Sequence, residues 1–202
     1  MHTNATRFVA VAGPPCSGKS TIARTLSATL PAPHLEMDRF RERVLPHGDQ
    51  RVEDRDVAYK AMHFAAELLA PWCRTIVLDA TYTAAICRRW LVDIVDQTGG
   101  ALVVIECRVS VASAVERWAR RAGHPAVDLT AERVAMLVRD YPYFPATCRV
   151  DVESRELDFV ALTQRAAGEP LTAAACASWC HHGHPRESCA HRAGEREGRF
   201  AR

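Results

Sequence analysis

The chain has 202 residues, of which 48% are hydrophobic and 25% charged, with a formal net charge of +2 at pH 7. Such a composition excludes an intrinsically disordered polypeptide and suits one core with a modest appendage. The near-balanced charge gives no electrostatic case for nucleic acid or a membrane surface, and no run approaches the ~18 apolar residues of a membrane span.

Lys19 and Lys60 are the only lysines among 26 basic residues, which makes Lys19 conspicuous. The cysteines are scattered and several lie inside apolar runs, as expected for reduced, buried thiols in a cytoplasmic enzyme. Residues 1–7 are polar and lead straight into a strand, so no secretory signal is expected.

Arg7–Ala12 is an apolar strand candidate. A glycine-rich turn follows, then a helix over 19–30, with Ile22, Leu26 and Leu30 repeating every four residues. Pro31 and Pro33 end it. Residues 34–38 predict a second strand. The stretch 57–69 predicts a helix carrying Val57, Met62, Ala65, Leu68 and Leu69. Residues 75–78 are continuously apolar, as in a buried parallel strand.

Ile86, Trp90, Leu91, Ile94 and Val95 mark the next helix, which Gly99 and Gly100 stop. The fourth strand is 101–107. Ser110 is placed to cap a helix carrying Val111, Val115 and Trp118, and Thr130 one carrying Val134, Leu137 and Val138. Residues 149–152 form a weaker fifth strand. Strands alternating with helices imply an α/β fold: a mainly parallel five-stranded sheet between two helical layers. Composition changes near Ala166. This divides the chain into a domain over 1–165 and a Cys- and His-bearing, partly disordered tail over 166–202.

The turn after the first strand carries the chemistry. Gly13-Pro14-Pro15-Cys16-Ser17-Gly18-Lys19-Ser20 fits G-x-x-x-x-G-K-[ST], and Thr21 follows. Gly13 and Gly18 let the backbone turn tightly against phosphate oxygens. Successive N–H groups and a helix N-terminus then form an anion site. In this loop type the lysine, here Lys19, reaches the β- and γ-phosphates, and the hydroxyl, here Ser20, ligates Mg²⁺. A strand before the motif and a helix after it are the context it requires. The chain is therefore expected to be a P-loop NTPase that binds ATP with Mg²⁺.

Phosphoryl transfer also needs a group that orients the acceptor and positive charge on the moving phosphoryl group. Asp38 ends the second strand candidate, on the sheet edge where ligands sit. It can accept the acceptor's proton, or cap a helix. Asp79 ends the third strand, where a Mg²⁺-side carboxylate or an acceptor contact is expected. Arg117, Arg120 and Arg121 share a helix face after the fourth strand, as in a small helical lid over phosphate. A solvated basic face fits the same spacing.

This ordered set resembles the P-loop kinase group that holds the 5′-polynucleotide kinase domain, zeta toxins, chloramphenicol phosphotransferase and gluconate kinase. It spans about residues 7–152. The phosphate loop is common to many NTPases. More particular are Asp38-Arg39, Asp79-Ala80-Thr81 followed by Arg88-Arg89, and Glu116-Arg117 with Arg120-Arg121. The resemblance implies that Asp38 is the general base and that Arg117 and Arg121 stabilise the phosphoryl group. It also implies that Asp38, Arg39, Asp79, Thr81 and Arg88 form the acceptor side. No phosphatase-like half follows, and no basic stretch interleaves with aromatics. A small-molecule acceptor is therefore preferred to a polynucleotide end.

Cys176, Cys180, His181, His182, His184, Cys189 and His191 offer zinc-type ligands at an unfamiliar spacing. A tail without a structural metal is the preferred reading. The expected activity is ATP-dependent phosphoryl transfer to a hydroxyl. An ATP-binding regulatory or interaction protein, a polynucleotide 5′-kinase and a zeta-toxin-like kinase remain open.

Overall fold

The structure, a computed structural model, describes residues 5–46, 52–120, 129–144, 146, 148–151 and 159–181. In chain order its first elements are β1 (Arg7–Ala12), α1 (Lys19–Thr29), β2 (His34–Glu36), α2 (Met37–Val44), α3 (Val52–Leu69) and β3 (Thr75–Asp79). Then come α4 (Ala85–Gln97), β4 (Ala101–Arg108), α5 (Val111–Ala119), α6 (Ala131–Arg139), β5 (Cys148–Asp151), α7 (Phe159–Ala167) and α8 (Ala173–His181).

The strands pair in the order β2-β3-β1-β4-β5, and every pairing is parallel. Parallel neighbours require crossover connections, so the helices cover both faces of the sheet. Alternate residues of β1 point to opposite faces. Phe8, Ala10 and Ala12 join a core with Met62, Leu78, Leu91 and Leu102. Val9 and Val11 join another with Ile22, Leu26, Val77, Val103 and Ile105. Each fully buried Leu, Ile or Phe side chain contributes roughly 1.5–3 kcal/mol. The three-layer α/β/α sandwich and the five-stranded parallel sheet agree with expectation.

The caps agree too. Ser110 Oγ accepts from Ser113 N at 3.2 Å, and Thr130 Oγ1 accepts from Arg133 N at 3.2 Å. Past α4, Gly99 takes a φ of 62°, and a Cβ on Gly100 would come within 2.5 Å of the Phe8 ring. The glycine pair thus both ends the helix and admits β1. Among the described residues no helix is long and apolar enough to cross a membrane.

A segment past Ala166 differs from expectation. α8 packs on α4, and Trp179 is fully buried between Tyr82 and Phe144. Trp179 and Cys180 are therefore buried with the core, though they lie within the segment expected to be a tail. The remaining tail ligands His182, His184, Cys189 and His191 lie outside the described residues.

Arg88 fastens this helix. Its side chain is buried, and Nε donates to the Trp179 carbonyl at 2.7 Å. Nη1 donates to the carbonyls of Tyr82 at 2.8 Å and Thr83 at 2.7 Å. The guanidinium also lies 4.8 Å from the Phe144 ring centroid. Tyr82 takes a φ of 53°, a left-handed conformation rare for a bulky residue. Its N–H donates to Tyr59 Oη at 2.9 Å, and its hydroxyl is 3.1 Å from His63 Nε2. Burial pushes the Tyr82 and Tyr59 hydroxyls above their usual range and pulls His63 from 6.5 down to about 3.

Two predictions follow from this network. Arg88→Ala leaves buried carbonyls without donors, so urea denaturation should show a loss of about 3–5 kcal/mol. His63 is neutral in the folded chain, while the unfolded chain takes up its proton below about pH 6.5. Its contribution is complete above that pH and is lost as pH falls toward 3. Between these limits wild-type stability should fall by ~1.4 kcal/mol per pH unit more than that of His63→Gln, measured by chemical denaturation at each pH.

Candidate active site

Parallel strands present their carboxyl ends on one edge, and register sets the level of each residue there. Val11 is opposite Asp79, Glu36 is opposite Asp79, and Ala12 is opposite Glu106. The β1–α1 turn, the β2–α2 junction and the loop after β3 therefore share this edge.

Residues 13–18 make the β1–α1 turn. Gly13 has no room for a side chain: a Cβ would lie 2.7 Å from Ser17 Oγ and 2.8 Å from the Cys107 carbonyl of β4. Cys16 and Gly18 take positive φ values of 60° and 78°. These turns carry the chain around to α1, whose N-cap is Gly18 with no side-chain cap. The first amides of α1 are thus left for a ligand, with the positive end of the helix dipole behind them. Thr21 N and Ile22 N close the first helical turn on the Gly18 carbonyl. Pro14 is buried and Pro15 half-buried, while Lys19 and Ser20 are partly exposed at the rim. Ser17 is wholly buried, and its Oγ has no hydrogen-bond partner.

Helix α5 reaches this loop. Arg117, in the last turn of α5, donates from Nη1 to the Cys16 carbonyl at 3.4 Å. Arg120 instead faces solvent, paired with Glu116 at 2.6 Å. Arg121 lies outside the described residues.

Asp38 differs from expectation in its local structure. β2 stops at Glu36, which N-caps α2, and Asp38 sits in the first turn of that helix. A carboxylate is favourable there beside the helix N-terminus. Its side chain is 40% exposed, with Arg41 Nη2 at 3.7 Å from Oδ1. Arg39 is exposed and ion-paired with Glu36 at 3.2 Å.

Asp79 does end β3 as expected, and it is buried. Among the described residues neither of its carboxylate oxygens has a hydrogen-bond partner, and His34 Nε2 is 3.5 Å from Oδ2. Ligand atoms of His34, Glu36 and Asp79 all lie within 4.8 Å of one another. A buried carboxylate without donors is costly, and a nearby cation offsets that cost. The residues present therefore fit a Mg²⁺ ion beside the phosphate loop. Sequence reading missed His34 and Glu36. Their i, i+2 spacing puts them on one strand face, but only the register with β3 brings that face to Asp79.

Thr81 is held at the same edge. Its carbonyl accepts from Tyr141 Oη at 2.6 Å, and its Oγ1 is 3.1 Å from Tyr59 Oη. Arg88 is a correction. Expected on the acceptor side, it is buried and its guanidinium is taken up by the carbonyls of Tyr82, Thr83 and Trp179. One turn into α4, it points toward α8 and the loop backbone and supports the loop. Of the tail cysteines, Cys180 is buried and Cys176 Sγ lies 3.9 Å from the Leu171 carbonyl. Both sulfurs are engaged with the core.

Known structures share this architecture. The APS kinase of Mycobacterium tuberculosis matches with a TM-score of 0.62 at 18% identity, covering 81% of this chain and 96% of that one. A sugar kinase from Janibacter sp. HTCC2649 matches with a TM-score of 0.58 at 18% identity, covering 80% and 92%. Shikimate kinase from Acinetobacter baumannii gives 0.55 at 16% identity, covering 81% and 91%. These likenesses are of fold. No curated protein sequence matches. The phosphate loop, the sheet edge it occupies and α5 all fall within residues 8–141, which match the AAA domain family, and the chain belongs to that family.

Proposed function

We propose that the protein is an ATP-dependent kinase that transfers the γ-phosphoryl group to a hydroxyl of a small molecule. The observation that carries this reading is the reach of Arg117 to the phosphate-loop backbone across 101 residues of sequence. A protein that only binds ATP has no need of an arginine brought from a second element to the phosphate end of the site. Guanidinium groups in that position suit a phosphoryl group whose charge changes during transfer. The kinases among the structural neighbours support the same chemistry, as does the resemblance to the polynucleotide kinase and chloramphenicol phosphotransferase group.

In this reading residues 13–21 hold the triphosphate, with Lys19 on its β- and γ-phosphates. Mg²⁺, which Ser20 and Asp79 would hold, would offset phosphate charge when bound. Asp38 orients the acceptor hydroxyl and takes its proton as the oxygen attacks the γ-phosphorus. The bond from that phosphorus to the bridging oxygen breaks, and ADP leaves. Arg117 and Arg121 stabilise the equatorial oxygens. Arg39 and Thr81 line the acceptor side. Exposure of Asp38 suits a group that must meet a diffusing acceptor. A second reading, an ATP-binding interaction protein, draws support from the exposed apolar face of α3 and predicts binding without transfer.

Lys19→Ala should weaken ATP binding by ~10²-fold, the loss of about 3 kcal/mol of charge-assisted hydrogen bonding, with an unchanged circular dichroism spectrum. Calorimetric titration with ATP·Mg²⁺ checks it, and equal affinity would sink the nucleotide site. The acceptor is to be sought by phosphoryl transfer from γ-labelled ATP to sugars, antibiotics, nucleosides and oligonucleotide ends. On the acceptor found, Asp38→Asn should keep ATP affinity and lower kcat by roughly 10²–10⁴-fold. Transfer at the wild-type rate would remove Asp38 as the base.

A further inference from the structure

One side of α3 is built into the core through Ala58, Tyr59, Met62 and Ala66. The opposite side is apolar as well, yet it faces solvent. Val57 is 43% exposed, Phe64 59%, Leu68 58%, and Trp72, just past the helix end, 86%. With the half-buried Ala61, the positions 57, 61, 64 and 68 follow a spacing of four, three and four. That is the seam of a two-helix coiled coil, which an isolated surface helix does not need.

Charges along one flank of this seam specify its partner. Glu53, Lys60 and Glu67 follow one another at intervals of seven residues and alternate in sign. In a parallel pair each would lie opposite Ala58, Ala65 or Trp72 of the other copy and find no charged partner. In antiparallel array about a two-fold axis beside Phe64, Lys60 of each copy faces Glu67 of the other. Phe64 then packs near its own symmetry mate. Lys60 Nζ already lies on this flank, 4.8 Å above the Trp90 ring. The pattern is self-complementary, as an isologous interface must be.

We propose that the protein dimerises through α3, packed antiparallel against α3 of a second copy. This does not depend on the phosphoryl-transfer reading. The test is sedimentation velocity of the full chain over a wide concentration range, with melting temperature as the check on folding. Wild type should form a dimer. Phe64→Arg should be monomeric, with the melting temperature of wild type diluted into its own monomer range, because the ring is exposed in the monomer. Lys60→Glu and Glu67→Lys should each raise the dimer Kd by ~10-fold, since each turns two attractive pairs repulsive. Combining both substitutions in one chain should restore wild-type affinity. An equimolar mixture of the two single variants should dimerise more tightly than either alone. A wild-type monomer at every concentration overturns the proposal and assigns the face to a different protein. So does a dimer that Phe64→Arg leaves intact, or a double variant no tighter than the singles.

Discussion

The close approach of Gly13 to the Cys107 carbonyl of β4 is the constraint on which the site depends. A side chain at Gly13 would press on β4 and on Ser17 together. Its absence lets β1 end flush against its neighbour while the backbone swings outward. From there the loop has one economical course, through the left-handed turns at Cys16 and Gly18 into α1. The direction of α1 then fixes where an anion is welcome. Parallel pairing on both sides of β1 brings Asp79 and Glu106 to the level of that turn. Glu106 becomes structural, accepting from Phe144 N at 2.8 Å and from Arg108 and Arg149 at 3.3 and 3.2 Å. Asp79 is left with no donor among the described residues. Two carboxylates at equivalent strand ends thus have opposite fates, one consumed by the fold and one available for a cation.

Much of this was legible in the chain because it depends on local pattern. The strand, glycine turn and helix at residues 7–30 follow from apolar runs and one motif. So do the caps at Ser110 and Thr130 and the stop at Gly99-Gly100. What could not be read depends on contacts between distant residues. Arg88 has the composition of a ligand contact, and only the position of α8 shows that its guanidinium is occupied. His34 and Glu36 gain meaning from a register. Asp38 was placed at a strand end because the apolar signal in 34–38 is too short to separate three residues of strand from the first turn of a helix.

The two faces of α3 illustrate the same limit. Val57 and Leu68 belong to the apolar pattern from which the helix is recognised, yet both lie on its outer side, while Ala58, Met62 and Ala66 point inward. A helix with apolar residues on two opposite sides has little moment to orient it. Its orientation follows from small residues that let it lie against β2, α2 and α4.

The fastening of α8 also has a consequence for biosynthesis. Chain emerges at about 5–20 residues per second, and domains tend to form from the N-terminus as it does. The sheet is complete once β5 is out. The loop after β3, however, is held in part by Arg88, which donates to the carbonyls of Tyr82 and Thr83 and also to the carbonyl of Trp179. The phosphate loop can therefore assemble on the ribosome well before the loop after β3 is fully fastened. A nascent chain halted short of Trp179 would already carry a nucleotide cradle, with the loop after β3 not yet fully fastened.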